Sequence, residues 1–341
     1  MAWLRAAGIT LFQILGIFTP RKISCPCQPV NYNDDGEIPF VPEGTSPLIG
    51  GWVERVIGPC NRSQQLKLAR KTILIHAPRY RDTDPGWQAS LKQRLVQEAR
   101  SIHQARHHHV IQLIHVYFDN QHRNTDEIRF AIIMDRADSD LRYYLRYGKC
   151  PEKRWFGCLS RVVRYIHSLD IRHQDIKPEN ILIKEGRILL ADFGLSRNGV
   201  GKKKPSHFQW IREYCAPEVE NGASCGLPAD IFSLGAVFLE MLVARDCPDR
   251  FTDLENILKF PSDGTLSYAK NIDTVHLWIE ENLRPLGWQD NDDVRSKCRE
   301  MLRSDYCQRP SAEDLIRSWL LLSASDECKA CKFAEDMVTR V

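Results

Sequence analysis

The stretch HQDIKPENIL (173–182), followed by ADFGLSR (191–197) and YCAPEV (214–219), decides how this sequence is read. Asp175 and Asn180 stand five residues apart, and Asp192 lies twelve beyond Asn180. Two carboxylates, one amide and the ammonium of Lys177 are thus concentrated around a hairpin pattern, ILI (181–183), KEGR, ILLA (188–191). A polar turn cluster between strands would explain any one of these words. It does not explain several short words in a fixed order, and a lone DFG would carry little weight.

These words resemble the signature set of the eukaryotic protein kinases, in which a catalytic loop, a DFG and an APE follow one another. Within that family they look closest to fungal serine/threonine kinase-like proteins. The resemblance implies a bilobal α+β fold, with a small β-rich N-lobe carrying one main helix and a larger, mainly helical C-lobe. It also implies transfer of the γ-phosphoryl of ATP, with Mg²⁺, to Ser/Thr hydroxyls of protein substrates. Phosphoryl transfer asks for position and charge compensation more than for covalent chemistry. Asn180 and Asp192 are a hard-oxygen pair suited to Mg²⁺. Asp175 would orient the attacking hydroxyl, and Lys177 would offset charge on the moving group.

Moving toward the N-terminus, LARK (68–71) stands where the kinase pattern has its strand lysine, so the resemblance makes Lys71 the ligand of the α- and β-phosphates and Glu98 its helix partner. Leu91, Leu95, Ala99 and Ile102 recur at helical spacing around Glu98. WVERVIG (52–58) and LKLARKTILI (66–75) suit a hairpin, and 110–118 and 128–134 are further strands. Met134 ends the last of them. Asp135, Arg136 and Ala137 would then meet the adenine edge through backbone groups, between Ala69 and Leu182 as an apolar sandwich. Toward the C-terminus, Trp155, Leu159, Val162, Ile166 and Leu169 mark a helix, and 230–322 reads as mainly helical. ADIFSLGAVFLEML (229–242) and RPSAEDL (309–315) extend the resemblance, which implies a buried bidentate pair of Arg309 with Glu218. The expected organisation is an N-terminal extension, 1–47, an N-lobe, 48–137, a C-lobe, 138–322, and a tail, 323–341.

The sequence departs from the pattern in three places. With VIGPCNRSQQ (56–65) as the glycine-rich loop, Gly58 is the one glycine retained, Cys60 and Ser63 stand at the other glycine positions, and Gln65 replaces the valine of the pattern. Side chains there hinder backbone approach to phosphate. Gln174 takes the place of the usual Arg before the catalytic Asp, so it cannot form a charge-assisted fork with a phosphorylated activation loop, where Ser206 follows Lys202, Lys203 and Lys204. Ile211 replaces a Thr that serine/threonine kinases carry. These departures keep open a pseudokinase scaffold or weak nucleotide-binding module, and a kinase-fold enzyme acting on a small molecule.

Composition agrees with a globular chain. Of 341 residues, 43% are hydrophobic and 27% charged, and 47 basic against 44 acidic residues leave +3. That balance gives no footprint for a nucleic-acid partner. Twelve scattered cysteines fall well short of a disulfide scaffold and read as reduced thiols, which with the kinase resemblance places the chain in the cytoplasm. Cys25 with Cys27, and Cys328 with Cys331, have metal-like spacing, but neither has an obvious second half nearby. His107, His108 and His109 are read as a loop rather than as ligands. The apolar run 6–18 is short for a bilayer span and, with Cys25 and Cys27 as acylation sites, suits membrane-surface association through 6–27. Residues 28–47 read as a loose linker.

Overall fold

The computed structural model describes residues 30–32, 38–43, 53–61, 64–76, 87–119, 127–194, 197–198, 212–223, 225–259, 264–283, 289–320 and 328–331. The expectations placed on 6–18, Cys25, Cys27, Ser63, Lys202, Lys203, Lys204, Ser206 and Ile211 lie outside these residues, as do the side chains of Cys60, Gln65 and Leu91. The chain divides into two compact units, one running to Arg106 and resuming over Ile111–Ala137, the other formed by His107–Val110 and everything from Asp138.

The first unit is a six-stranded sheet with one helix. Its strands are β1 (Val30–Tyr32), β2 (Val41–Pro42), β3 (Val53–Asn61), β4 (Gln64–His76), β5 (Leu113–Asp119) and β6 (Glu127–Asp135), in the order β1-β5-β6-β4-β3-β2. All neighbours are antiparallel except β1 on β5. β3 and β4 close at Asn61 opposite Gln64, a tighter hairpin than the expected loop. The helix α1 (Trp87–Gln104) buries Leu95, Val96, Glu98, Ala99 and Ile102, the face its period foretold.

Two edge strands correct the reading of 28–47 as a linker. β1 and β2 both come from it, and Phe40, just before β2, is 4% exposed in a cluster with Val56, Leu68, Tyr117, Ala131 and Ile133. Its ring stacks on Tyr117 at 6.1 Å. Arg70 reinforces the closure, donating Nη1 to the Phe40 carbonyl at 3.3 Å and to the Tyr117 hydroxyl at 3.0 Å. Two short strands and one buried aromatic side chain hold the segment, which a Pro- and Asn-rich composition conceals.

The second unit opens with β7 (Ser139–Asp140), α2 (Leu141–Arg146) and α3 (Arg154–Ser168). Asp140 caps α2, accepting the Tyr143 N–H at 2.7 Å. Leu169, expected within α3, falls just past its end and is 41% exposed, because Asp170 turns the chain at φ +55°. There follow β8 (Ile171–Arg172), β9 (Ile181–Lys184), β10 (Arg187–Leu190) and β11 (Arg197–Asn198), paired as sheets β10-β9-β7 and β11-β8. β9 and β10 form the expected hairpin, turned by Glu185 and Gly186, both at positive φ.

Helices complete the unit: α4 (Pro217–Glu220), α5 (Leu227–Asp246), α6 (Phe251–Leu258), α7 (Ile272–Asn282), α8 (Gln289–Met301) and α9 (Ala312–Leu320). Apart from the carboxylates Asp230 and Glu240, α5 is largely apolar on every face, and it is buried from Ala229 to Ala244 except at half-buried Ser233, as a core helix must be. Its Gly235 lets α8 approach so closely that an added Cβ would lie 2.7 Å from Met301 Cβ.

Candidate active site

The short segment between β8 and β9 carries the chemistry, and a single buried carboxylate shapes it. Asp230, at the start of α5, accepts the backbone N–H of His173 and of Gln174, each at 2.8 Å, and meets His167 Nε2 at 3.0 Å. Burial alone would raise its pKa, but His167, His173 and the Gln174 N–H outweigh this and hold the carboxyl below its ordinary value. These bonds support Gln174 at φ +66°, a left-handed conformation costly for a residue with a Cβ. His173 is fully buried, and that burial pushes its pKa down, so it is neutral. Its Nδ1 accepts the Asp175 N–H at 3.3 Å while Nε2 donates to the Ala191 carbonyl at 3.0 Å. One imidazole therefore joins the Asp175 segment to the DFG segment, whose Phe193 packs edge-on against it at 4.8 Å.

Downstream of this anchor, Lys177 Nζ lies 2.9 Å from Asp175 Oδ2, and Asn180 Nδ2 donates to the same oxygen at 2.8 Å and to the Asp175 carbonyl at 2.8 Å. Both side-chain donors reach Oδ2, which leaves Oδ1 as the oxygen of Asp175 to meet an incoming hydroxyl. Asn180 has its amide nitrogen engaged, so its amide oxygen is the ligand end. Asp192 sits at φ +62° and accepts the Gly194 N–H at 3.3 Å. A hollow beside Asp175 and Lys177 is lined by Tyr214, Cys215, Ala216 and Val219.

In the first unit, Lys71 on β4 pairs with Glu98 on α1 at 2.8 Å, with Glu98 6% and Lys71 17% exposed. The two are 27 residues apart in sequence and are brought together by α1 packing on the sheet. Ala69 is on the same strand, half-buried and opposite Met134. Asp135 ends β6 and donates its backbone N–H to the Gln112 carbonyl at 3.0 Å, so that group is committed within the unit. Ala137 is the last residue of the first unit, and Leu182 lies on β9 of the second, opposite Asp140 and Leu189.

Gly58, expected as a phosphate-loop residue, falls where the β3–β4 register shifts, between Ile57 and Cys60. It lies inside β3, buried, and a Cβ there would fall 2.8 Å from Leu68 Cδ1 and 3.4 Å from Leu66 Cβ. Its missing side chain serves sheet packing.

Two further ionic groups brace the second unit. Arg309 forks onto Glu218 at 2.7 and 2.8 Å and also donates to the Pro228 and Ser304 carbonyls, with its side chain fully buried. Arg142 faces Glu179 at 2.9 Å, Glu213 at 3.2 Å and Glu240 at 3.5 Å, and bonds the Tyr214 hydroxyl. Sequence reading missed this second group, as it missed the bridging role of His173. His173 stood inside the decisive stretch and could have been found there, whereas nothing local links Arg142 to Glu240.

Comparison with known proteins adds breadth to this geometry. Residues 50–320 match the protein kinase domain. The chain is 32% identical over 169 residues to serine/threonine-protein kinase crk1 of Schizosaccharomyces pombe, covering 48% of each chain. It is 36% identical over 153 residues to protein kinase 3 of Dictyostelium discoideum, covering 40% of this chain and 16% of that one. Mitogen-activated protein kinase 12 of Oryza sativa subsp. japonica is 29% identical over 201 residues, 52% of this chain and 33% of its own. These matches span 48% or less of the relatives' own lengths. With 271 of 341 residues inside the matched domain, and a β-rich unit followed by a helical one, the chain belongs to the protein kinase family.

Proposed function

We propose that this chain transfers the γ-phosphoryl of ATP to Ser or Thr hydroxyls of protein substrates. The observation that carries this reading is the arrangement at Asp175, whose Oδ2 is held by Lys177 and Asn180 at 2.9 and 2.8 Å while Oδ1 remains to accept a hydroxyl proton. Asp175 orients the acceptor in the hollow beside Tyr214, Cys215 and Ala216. Lys177 offsets charge as the phosphoryl group moves. The amide oxygen of Asn180 and the carboxylate of Asp192 are the oxygen ligands that fit Mg²⁺, which when bound neutralises phosphate charge. Lys71, oriented by Glu98, supplies a cation for the α- and β-phosphates.

Turnover of Mg-ATP by the purified chain with a generic protein acceptor tests the proposal, with Asp175→Ala and Asp192→Ala as comparisons. Phosphorylated Ser or Thr in the acceptor, lost in both variants, supports it. Turnover no greater than that of Asp175→Ala replaces it with the pseudokinase reading, which the glycine-poor loop and Ile211 favour. On composition, residues 6–27 are the segment through which this otherwise cytoplasmic chain would engage a membrane surface, and vesicle co-sedimentation with and without them tests that extension.

A further inference from the structure

Four side chains with no part in phosphoryl transfer converge in the second unit. The ligand atoms of His108, His109, Cys328 and Cys331 all lie within 4.8 Å of one another. Nε2 of His108 and Nε2 of His109 each stand 3.3 Å from the Cys331 sulfur. A tetrahedral ion bonded to sulfur at about 2.3 Å and to nitrogen at about 2.0–2.1 Å holds its ligand atoms roughly 3.3–3.8 Å apart. The histidine-to-Cys331 separations fall within about 0.3 Å of the mixed sulfur–nitrogen edge of such a tetrahedron. The rest of the group closes by shifts of no more than about 1–1.5 Å relative to those edges.

The surroundings fix the ligands as a metal site requires. His109 Nδ1 lies 2.6 Å from the Ile188 carbonyl, which can only accept, so Nδ1 carries a proton and Nε2 is the ring atom directed at the sulfur. The Leu190 N–H donates to the His109 carbonyl at 2.7 Å, and the Val110 N–H to that of His107 at 3.0 Å, holding the turn against β10. His107 is a support and not a ligand. Its Nδ1 accepts the His109 N–H at 3.1 Å, and its ring lies between His108 at 4.1 Å and Tyr165 at 5.1 Å. Cys328 and Cys331 have the C-x₂-C spacing of structural zinc ligands. His109 and Cys331 are buried, and His108 and Cys328 half-buried.

We propose that His108, His109, Cys328 and Cys331 bind one Zn²⁺ ion in a closed structural site that fastens the C-terminal segment at Cys328–Cys331 to the His107–Val110 turn. Two sulfur and two imidazole ligands select zinc and are a poor set for Mg²⁺, so nucleotide-bound Mg²⁺ does not compete. On binding, each thiol releases a proton, and the two thiolates neutralise the charge of the ion, leaving a neutral group in a largely buried place. All four positions are filled by protein, which makes the ion structural. Cys158 on α3, buried with its sulfur 4.0 Å from Cys331, packs behind the site.

The test is the metal content of the full chain, purified without chelator from zinc-supplemented cells and measured by mass spectrometry of the elements. About one zinc per chain is expected in the native protein and in Cys307→Ser, which removes an exposed thiol elsewhere, and below about a tenth in Cys328→Ser/Cys331→Ser and His108→Ala/His109→Ala. Cobalt exchange of the native chain provides a readout independent of whether the variants fold. Thiolate-to-cobalt charge transfer with tetrahedral visible bands is expected, together with a chelator-induced fall in melting temperature that zinc reverses. A native chain that holds no zinc and takes up no cobalt overturns the proposal, as does a Cys328–Cys331 disulfide in its intact mass.

Discussion

The Asp230 carboxylate accepts the His173 backbone N–H at 2.8 Å, from the first turn of α5, 57 residues along the chain. With its second oxygen on the Gln174 N–H, it holds the segment that presents Asp175. Asp230→Asn keeps the shape but turns an N–H₂ toward one of those donors. We expect at least a tenfold loss of phosphoryl transfer, about 1.4 kcal/mol in barrier, and about 2–4 kcal/mol lost from stability because a buried donor is left unpaired. Urea unfolding and transfer assays measure the two effects. Unchanged values in both would mean the segment holds its own conformation.

Lys71→Met should abolish nearly all transfer while leaving the fold intact. It also removes the Lys71 ion pair from the Glu98 carboxylate, which is 6% exposed, so stability should fall by about 1–3 kcal/mol. The double variant Lys71→Met/Glu98→Gln should regain that stability and none of the activity. Thermal unfolding beside transfer assays separates the roles, and activity in either variant would dissociate Lys71 from the reaction.

The stability of the second unit should fall as pH rises through the range set by Glu240. Burial raises its carboxyl from 4.5 to about 7, against the pull of Arg142 and Tyr214, since one guanidinium serves Glu179, Glu213 and Glu240 together. The Tyr214 hydroxyl at 2.5 Å and that of Tyr268 at 3.3 Å complete its surroundings. Between 4.5 and about 7 the folded state binds the proton that the unfolded chain has released. This contribution is complete below 4.5 and is lost by about 7, on the order of 3 kcal/mol. Glu240→Gln, permanently neutral, should flatten the fall measured by urea unfolding from about pH 5 to about pH 8. An identical slope in both proteins would place the carboxyl at its ordinary value.

Phe40→Ala should cost about 3–5 kcal/mol, the usual range for removing a buried aromatic side chain. Deletion of residues 1–45, which removes β1, β2 and Phe40 together, should destabilise the first unit at least as much. Denaturant unfolding measures both, and a deletion as stable as the full chain would return the segment to the status of a linker.

Gly58→Ala should lower stability by about 1–3 kcal/mol through its clash with Leu68, without a matching change in ATP affinity. Calorimetric titration of Mg-ATP with both proteins decides between the two roles. Weakened nucleotide binding at unchanged stability would restore Gly58 to the phosphates.

The kinase fold and its chemistry are legible in local words because the reaction demands particular side chains at short, fixed separations. Asp175, Lys177, Asn180 and Asp192 fall within eighteen consecutive residues, 175–192, and the helical period around Ala99 and Ile102 likewise needs no distant partner. The Lys71–Glu98 pair was legible through family resemblance, with packing supplying its 2.8 Å contact. Gly58 shows the opposite case: a glycine that suits a loop by type is used by β3 for close approach to Leu68. Phe40 in the sheet core, Arg142 among three carboxylates, and His109 beside Cys331, 222 residues away, have no local signature. Burial and charge compensation act on neighbours in space, so these contacts exist only once the sheet and helices have closed and chain segments far apart in sequence compete for the same interior.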